Sequence, residues 1–298
     1  MLEALRHFPA YVRSRFPPQV YGVALVMAYA GCVSVFSAAA GRQPKIATSV
    51  CSLLGFILIF LLIRLSDDIA DVESDTRSGA ILEANAQAYR LMLGRIYPVV
   101  AIMIAGIGLL VGALPYSLVI VGLIVIQPAV RSAIGTPSGA LSSGSAVTDS
   151  LYGLQHEGTY FACCFYIYVT WRASSDADVG LWLAFSATAL VWALLLIWKY
   201  SRAISRPGWE PYNLSWPRIR SALVALIILV VLSQLSISHY LRLASIYALA
   251  ASLIGAASIA MLFSTTPQER QPRRNFGIIF ALANLLCLIS ALSVSSPI

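Results

Sequence analysis

Charged residues are scarce in this chain. Lysine, arginine, aspartate and glutamate make up only 11% of its 298 residues, whereas 59% of the residues are hydrophobic. Soluble domains carry roughly 25% charged residues, so this composition excludes a soluble globular protein and predicts a polytopic membrane protein. The net charge of +7 does not indicate nucleic-acid binding, because the chain is too apolar and its cations follow a membrane topology, as shown below.

Residues that usually build metal centres and hydrolytic triads are also scarce. The three histidines, His7, His156 and His239, fall on separate segments, and the five cysteines lie in apolar runs without metal-type spacing. The phosphate-binding patterns G-x-x-x-x-G-K-[ST] and G-x-G-x-x-G do not occur. A histidine metal site and a Ser-His-Asp hydrolase are therefore not expected.

Long apolar runs dominate what is present. A membrane-spanning helix needs roughly 20 predominantly apolar residues, and nine runs approach or reach that length. We predict an all-α fold, a single transmembrane domain over residues 1–298 with about nine spans: Val20–Ala40, Ile46–Leu65, Ala88–Val111, Pro115–Ser132, Thr159–Ala173, Leu181–Ser201, Ile219–Ser238, Leu243–Phe263 and Phe276–Val294.

The distribution of cations predicts the orientation. With the N-terminus in the cytoplasm, only Arg42, Lys45, Arg172 and Arg242 fall on the outer side, which leaves sixteen of the 20 lysines and arginines inside. This asymmetry is what the positive-inside rule requires. We therefore expect an integral membrane protein whose N-terminus and even-numbered connections face the cytoplasm.

Acidic residues cluster directly after the second predicted span. Five of the 13 carboxylates fall within nine residues, at Asp67, Asp68, Asp71, Glu73 and Asp75. On a helix, the aspartates spaced i, i+4 and i+8 would lie on one face and repel each other. Mg²⁺ would remove that repulsion, because it binds carboxylate oxygen, water and substrate phosphate. The alternative is a solvated acidic loop between two helices.

Basic residues follow the sixth predicted span. Lys199, Arg202 and Arg206 precede Glu210 in the connection to the seventh span. Their spacing of i, i+3 and i+7 would place the cations on one face if the sixth helix continues that far. They would then suit a phosphate group through charge-assisted hydrogen bonds. The alternative is that they are ordinary cytoplasmic topology signals.

The acidic stretch resembles a family motif. Asp67-Asp68-Ile69-Ala70-Asp71-Val72-Glu73-Ser74-Asp75 is similar to the N-D-x-x-D-x-x-x-D motif of the UbiA superfamily of intramembrane prenyltransferases, with Asp67 in place of the asparagine. The family places this motif after its second helix in a nine-helix bundle. Arg15-Phe16-Pro17-Pro18, Tyr21 and Arg64 resemble a bacterial UbiA-like branch in particular, which would place the protein in a bacterial cell membrane.

This resemblance implies Mg²⁺-dependent chemistry on a polyprenyl diphosphate. It implies metal ligands at Asp67, Asp68, Asp71 and Asp75, and a diphosphate side formed by Arg64, Lys199, Arg202, Arg206 and Glu210. Asp68, Asp71 and Arg202 would be the residues on which catalysis depends. Most family members transfer the prenyl cation to a small-molecule acceptor, whereas some are terpene cyclases that use no acceptor, and both remain open here.

One departure from the family pattern affects the expected site. The second family motif, D-x-x-x-D after the sixth helix, is absent, and a single Glu210 follows the cations there. Direct contact between arginine and diphosphate would replace the second metal site. A transporter is the alternative class, but it would carry carboxylates inside its spans, whereas the acids here lie at the end of a span.

Overall fold

A computed structural model describes residues 8–13, 16, 18–77, 83–133, 146–204, 216–243, 245–264, 280 and 284. Close to several of the gaps it describes the helical backbone without the side chains. The described part is 91% helix and contains no strand. The predicted all-α class is therefore confirmed.

A short helical segment at residues 8–13 precedes eight long helices. We number them α1 to α8: α1 Pro18–Ala40, α2 Ile46–Arg77, α3 Glu83–Leu110, α4 Leu114–Ala133, α5 Ala146–Ser175, α6 Leu181–Ile204, α7 Trp216–Tyr240 and α8 Ser245–Ser264. Each of the first eight predicted spans overlaps one of these helices. The ninth predicted span lies outside the described residues except for Phe280 and Asn284.

Five helices are long and apolar enough to cross a membrane. Within the described residues these candidate spans are Tyr21–Ala40, Ile46–Ile69, Arg90–Leu110, Leu181–Tyr200 and Arg220–Tyr240. Two shorter apolar helical stretches, Leu114–Gln127 and Ile246–Leu262, lie in α4 and α8. The chain is thus an all-helical membrane protein, and the count of nine spans stays a prediction.

Several helices extend beyond the predicted spans. The second span was expected to end at Leu65, but α2 continues to Arg77, and the third helix begins at Glu83, before the expected Ala88. The fifth span was expected to begin at Thr159, but α5 begins at Ala146. Polar residues extend these helices, because hydropathy marks where a span leaves the hydrocarbon and does not mark where a helix ends.

Glycine ends two of the helices. Gly41 after α1 and Gly112 after α3 have φ of 63° and 73°, a left-handed conformation that glycine adopts without a β-carbon penalty. The amide of the following residue bonds back five positions, from Arg42 N to Ser37 O at 3.3 Å and from Ala113 N to Gly108 O at 2.7 Å. This is the Schellman arrangement, which satisfies carbonyl groups that a helix end leaves without partners.

The chain forms two compact units. Unit 1 comprises Met1–Val26 and Lys45–Ser174, and within it α2 packs against α3 and α4. Gly55 of α2 permits close approach, since an added β-carbon would lie 2.5 Å from the hydroxyl of Tyr166 on α5. Fully buried side chains such as Phe56 and Ile63 form its core.

Unit 2 comprises Met27–Pro44 and Ser175–Ile298. Within it α6 packs against α7, and α7 packs against α8. Polar contacts tie the helices together: Ser186 Oγ lies 2.9 Å from Ser236 Oγ, and Gln234 Nε2 donates to Asn284 Oδ1 at 2.7 Å. Such buried pairs satisfy polar groups that would otherwise be costly inside an apolar bundle.

Candidate functional site in unit 1

The acidic stretch is helical. All of Asp67, Asp68, Asp71 and Asp75 belong to α2, which has 32 residues and a length of about 48 Å. Its apolar part, Ile46–Ile69, already suffices to cross a hydrocarbon core of about 30 Å. The remaining turns extend past the apolar part, because no glycine or proline interrupts the chain between Ser66 and Arg77. The alternative of an acidic loop is therefore wrong.

The charged residues that were expected at the site from α2 lie on one face of that helix. At about 100° per residue, Arg64, Asp67, Asp68, Asp71 and Asp75 fall within a sector of about 100°. Glu73 of the same stretch lies on the opposite side of the helix. The helical register thus supports the spacing argument, although the side chains of Asp71 and Asp75 lie outside the described part of the structure.

Asp68 is deeply buried and bound on both sides. Its side chain is 2% exposed, and its Oδ1 accepts from Arg64 Nη2 at 2.8 Å, one helical turn away. Its Oδ2 accepts a hydrogen bond from Tyr11 Oη at 2.7 Å. A buried carboxylate requires such partners, because removing an ion from water costs several kcal/mol. In this structure Asp68 joins the N-terminal segment to α2, and a role as metal ligand stays a prediction.

Arg64 retains donor capacity. Its Nη2 pairs with Asp68, while its buried Nε finds no hydrogen-bond acceptor among the described residues. Asp67, Tyr11 and Tyr21 lie close enough to interact with the guanidinium electrostatically. Because a buried donor without a partner is costly, an acceptor oxygen from a ligand or water is expected at this position.

Tyr11 is a residue that the sequence interpretation missed. It is 3% exposed, and its ring stacks on Phe8 with centroids 6.0 Å apart. A second stack joins Phe16 to Tyr21 with centroids 4.7 Å apart. The available signal was the i, i+3 spacing of Phe8 and Tyr11, but nothing local identified Asp68 as the partner.

Helix α5 contributes buried polar side chains from the stretch before Thr159, where the fifth span was expected to begin. His156 and Glu157 are 4% and 8% exposed. Tyr160, one turn further along α5, lies close enough to Asp67 and Glu157 to interact with both electrostatically. His156 Nδ1 lies 3.3 Å from Gln127 Nε2 of α4, so three helices contribute to this polar cluster.

Aromatic rings continue the same face of α2 below Asp67. Phe60 and Phe56 precede Asp67 by seven and eleven residues, which places both within about 20° of it around the helix. The two rings meet edge-on at 5.0 Å, and Phe60 meets Tyr160 edge-on at 5.6 Å. His156 also meets Tyr160 edge-on, with ring centroids 5.1 Å apart. The carboxylates are therefore followed by a row of aromatic side chains.

The expected diphosphate residues after the sixth span belong to unit 2. Lys199 is half-buried on α6, and the helix continues to Ile204, so Lys199 and Arg202 share a helix at i, i+3 as expected. The side chain of Arg202, and the whole of Arg206 and Glu210, lie outside the described residues. Their role at the diphosphate stays a prediction.

A complete metal-ligand cluster is not found within the described side chains. No group of three or more histidine, cysteine, aspartate or glutamate side chains comes together among them. The expected Mg²⁺ set includes Asp71 and Asp75, whose side chains fall outside that part. The donor chemistry nevertheless fits, since the residues on this face of α2 offer the hard oxygen atoms that Mg²⁺ takes.

Comparisons with known proteins return no relative. The chain matches no protein-family model, no curated protein and no solved structure. The class that the fold defines is an all-helical membrane protein with a charged cluster at the end of one apolar helix. The likeness of Asp67–Asp75 to a prenyltransferase motif is a similarity of one short segment.

Proposed function

We propose that this protein is an intramembrane enzyme of UbiA type, which ionises a polyprenyl diphosphate with Mg²⁺ and transfers the prenyl group to an acceptor. The observation that carries the proposal is the position and the unused hydrogen-bond donor of Arg64. This residue lies at the end of an apolar span, among carboxylates, with a buried donor that lacks an acceptor among the described residues. A substrate with an anionic head and a long apolar tail suits that boundary.

The carboxylate face supports the metal part of the proposal. Asp67, Asp71 and Asp75 would hold Mg²⁺, because they follow each other on one face of α2. Asp68 would hold Arg64 in place, since both of its oxygens already have protein partners. When bound, Mg²⁺ would supply the positive charge that stabilises a departing diphosphate.

The aromatic row supports the carbocation part. Tyr160 lies close to Asp67, Phe60 contacts Tyr160, and Phe56 contacts Phe60. All three are half-buried or buried. Aromatic faces attract cations most strongly where water is absent, and an apolar bundle excludes the water that would quench an allylic cation. The same features serve transfer to an acceptor and cyclisation without one.

A diphosphate-release assay tests the proposal. Purified protein is incubated with C10, C15 or C20 prenyl diphosphate and Mg²⁺, with and without a membrane extract that supplies acceptors. Release that requires the extract indicates transfer, and release with extractable hydrocarbon in its absence indicates cyclisation. No release under either condition refutes the enzyme and favours the transporter.

Two matched variants locate the metal face. Asp71→Asn removes a carboxylate from the charged face, and Glu73→Gln removes one from the opposite side of the same helix. Because a metal contributes several kcal/mol of transition-state stabilisation, Asp71→Asn is expected to slow release on the order of a hundredfold or more. Glu73→Gln is expected to retain the wild-type rate. Equal losses in both variants would show that the side of α2 on which a carboxylate lies does not matter, and would contradict the metal assignment.

A further inference from the structure

A cavity of about 770 Å³ opens at the end of α7 in unit 2. It lies where the candidate span Arg220–Tyr240 ends, which is the depth at which lipid headgroups meet a membrane protein. Its volume is within the range of roughly 300–1,000 Å³ that small-molecule sites occupy. None of the residues expected at the substrate site lines this cavity.

The polar lining of this cavity suits an anion. Arg242, His239, Ser238 and Tyr240 contribute a cation, an imidazole and two hydroxyl groups, and leucine and alanine side chains complete the lining. No carboxylate is among these lining residues. Within the described part of the chain, the side chains of Arg242 and His239 have no hydrogen-bond or ion-pair partner. Guanidinium binds phosphate oxygens in a two-pronged geometry.

The backbone presents Arg242 in an unusual way. Leu243 N bonds to Ser238 O at 2.9 Å and Arg242 N bonds to His239 O at 3.3 Å, which is the same Schellman arrangement that ends α1 and α3. In those two turns the left-handed position is glycine, whereas here it is Arg242 with φ of 53°. A side chain is disfavoured there, so the turn holds Arg242 in a sparsely populated backbone conformation beside the cavity.

The surroundings of the cavity suit acyl chains. Leu232 of α7 is 58% exposed, and Ile246 and Leu249 of α8 are 76% and 60% exposed. Ile246 and Leu249 lie at the start of α8, just after the turn that holds Arg242, and Leu232 lies about two turns before the end of α7. An anionic head bound in the cavity would therefore have its apolar tails beside exposed apolar side chains.

We propose that the cavity at the α7–α8 turn binds the phosphate group of an anionic phospholipid through Arg242. His239 and the hydroxyl groups of Ser238 and Tyr240 donate further hydrogen bonds to the headgroup. The chemistry that is recognised is a phosphodiester monoanion whose headgroup carries no compensating cation, and its source is the surrounding membrane. This site does not depend on the function proposed for unit 1.

Calorimetric titration of the purified protein in neutral detergent tests the proposal. The probes are dihexanoyl phosphatidylglycerol below its micelle concentration, dihexanoyl phosphatidylcholine and inorganic phosphate. Phosphatidylglycerol is expected to bind at least about tenfold more tightly than either other probe. Equal binding of inorganic phosphate overturns the lipid as the source, and equal binding of phosphatidylcholine overturns recognition of the negative charge.

Arg242→Gly is the decisive variant because it removes the cation and relieves the backbone at once. Its expected effect is a ten- to hundredfold loss of phosphatidylglycerol affinity without a fall in the unfolding temperature, so misfolding cannot account for the loss. Arg172→Gln changes the net charge equally at an exposed position on α5 and is expected to retain affinity. Unchanged binding in Arg242→Gly, or an equal loss in Arg172→Gln, overturns the proposal.

Discussion

The bond between Tyr11 and Asp68 gives a direct test of how the N-terminal segment is held. Tyr11→Phe removes one hydroxyl and leaves the ring that stacks on Phe8. Because both partners are almost fully buried, at 3% and 2% exposure, the bond to the ionised carboxylate is expected to be worth about 1.5–3 kcal/mol. The ion pair between Arg64 and Asp68 contributes less to the free energy of unfolding than its 2.8 Å distance suggests, because the Arg64 side chain is 32% exposed and water screens the charges.

Hydrogen exchange measures this contribution locally. If the bond holds the segment on α2, the amides of residues 10–13 open by local unfolding and exchange on the order of ten- to a hundredfold faster in Tyr11→Phe. Amides in α7 are the internal reference and are expected to be unaffected. A matched control is Tyr240→Phe, which removes a hydroxyl from a 45% exposed ring. Unchanged exchange at residues 10–13 would refute the role given to this bond.

Two further predictions concern the site and the packing of unit 1. Arg64→Gln is expected to weaken prenyl diphosphate binding in the presence of Mg²⁺ by about ten- to a hundredfold, as measured in a binding titration. Unchanged affinity would contradict the role given to Arg64. Gly55→Ala is expected to destabilise the protein by about 1–3 kcal/mol, because its β-carbon would meet the Tyr166 hydroxyl. Tyr166→Phe removes that atom, so the double variant is expected to recover part of the loss in a thermal unfolding assay. If the double variant loses as much stability as Gly55→Ala alone, the clash does not involve the Tyr166 hydroxyl.

The existence of the helices could be predicted from the sequence because membrane spans need long apolar runs. Ile46–Leu65 and Leu181–Ser201 were identified in this way, and α2 and α6 contain them. The polar continuations could not be predicted, because Ser66–Arg77 and Ala146–Gly158 combine residues typical of connections with a helical backbone. In α5 the residues before Thr159 are too polar for a membrane span and include Gly153 and Gly158, but a helix tolerates isolated glycines at about 1 kcal/mol each.

The sequence predicted which aspartates share a face of α2, but it did not predict which side chains from other segments contact that face. Asp67, Asp71 and Asp75 could be assigned to one face from their period alone. The burial of Asp68 depends on Tyr11, which is 57 residues away along the chain, and no periodic pattern encodes that pairing. For the same reason the aromatic partner of Phe60 was not foreseen, since Tyr160 reaches it from α5.

The charge on the α2 face argues that substrate binding depends on the metal. Four aspartates and Arg64 on this face give a formal charge of −4 + 1 = −3. A diphosphate is itself an anion, so the face of α2 repels it unless cations intervene, and Asp68 already occupies part of the Arg64 guanidinium. Metal-free protein is therefore expected not to bind prenyl diphosphate, whereas Mg²⁺ restores binding and the Asp71→Asn variant requires a higher Mg²⁺ concentration. Binding that is equally tight after chelation would mean that cations outside this face hold the diphosphate, and the metal assignment of Asp67, Asp71 and Asp75 would fail.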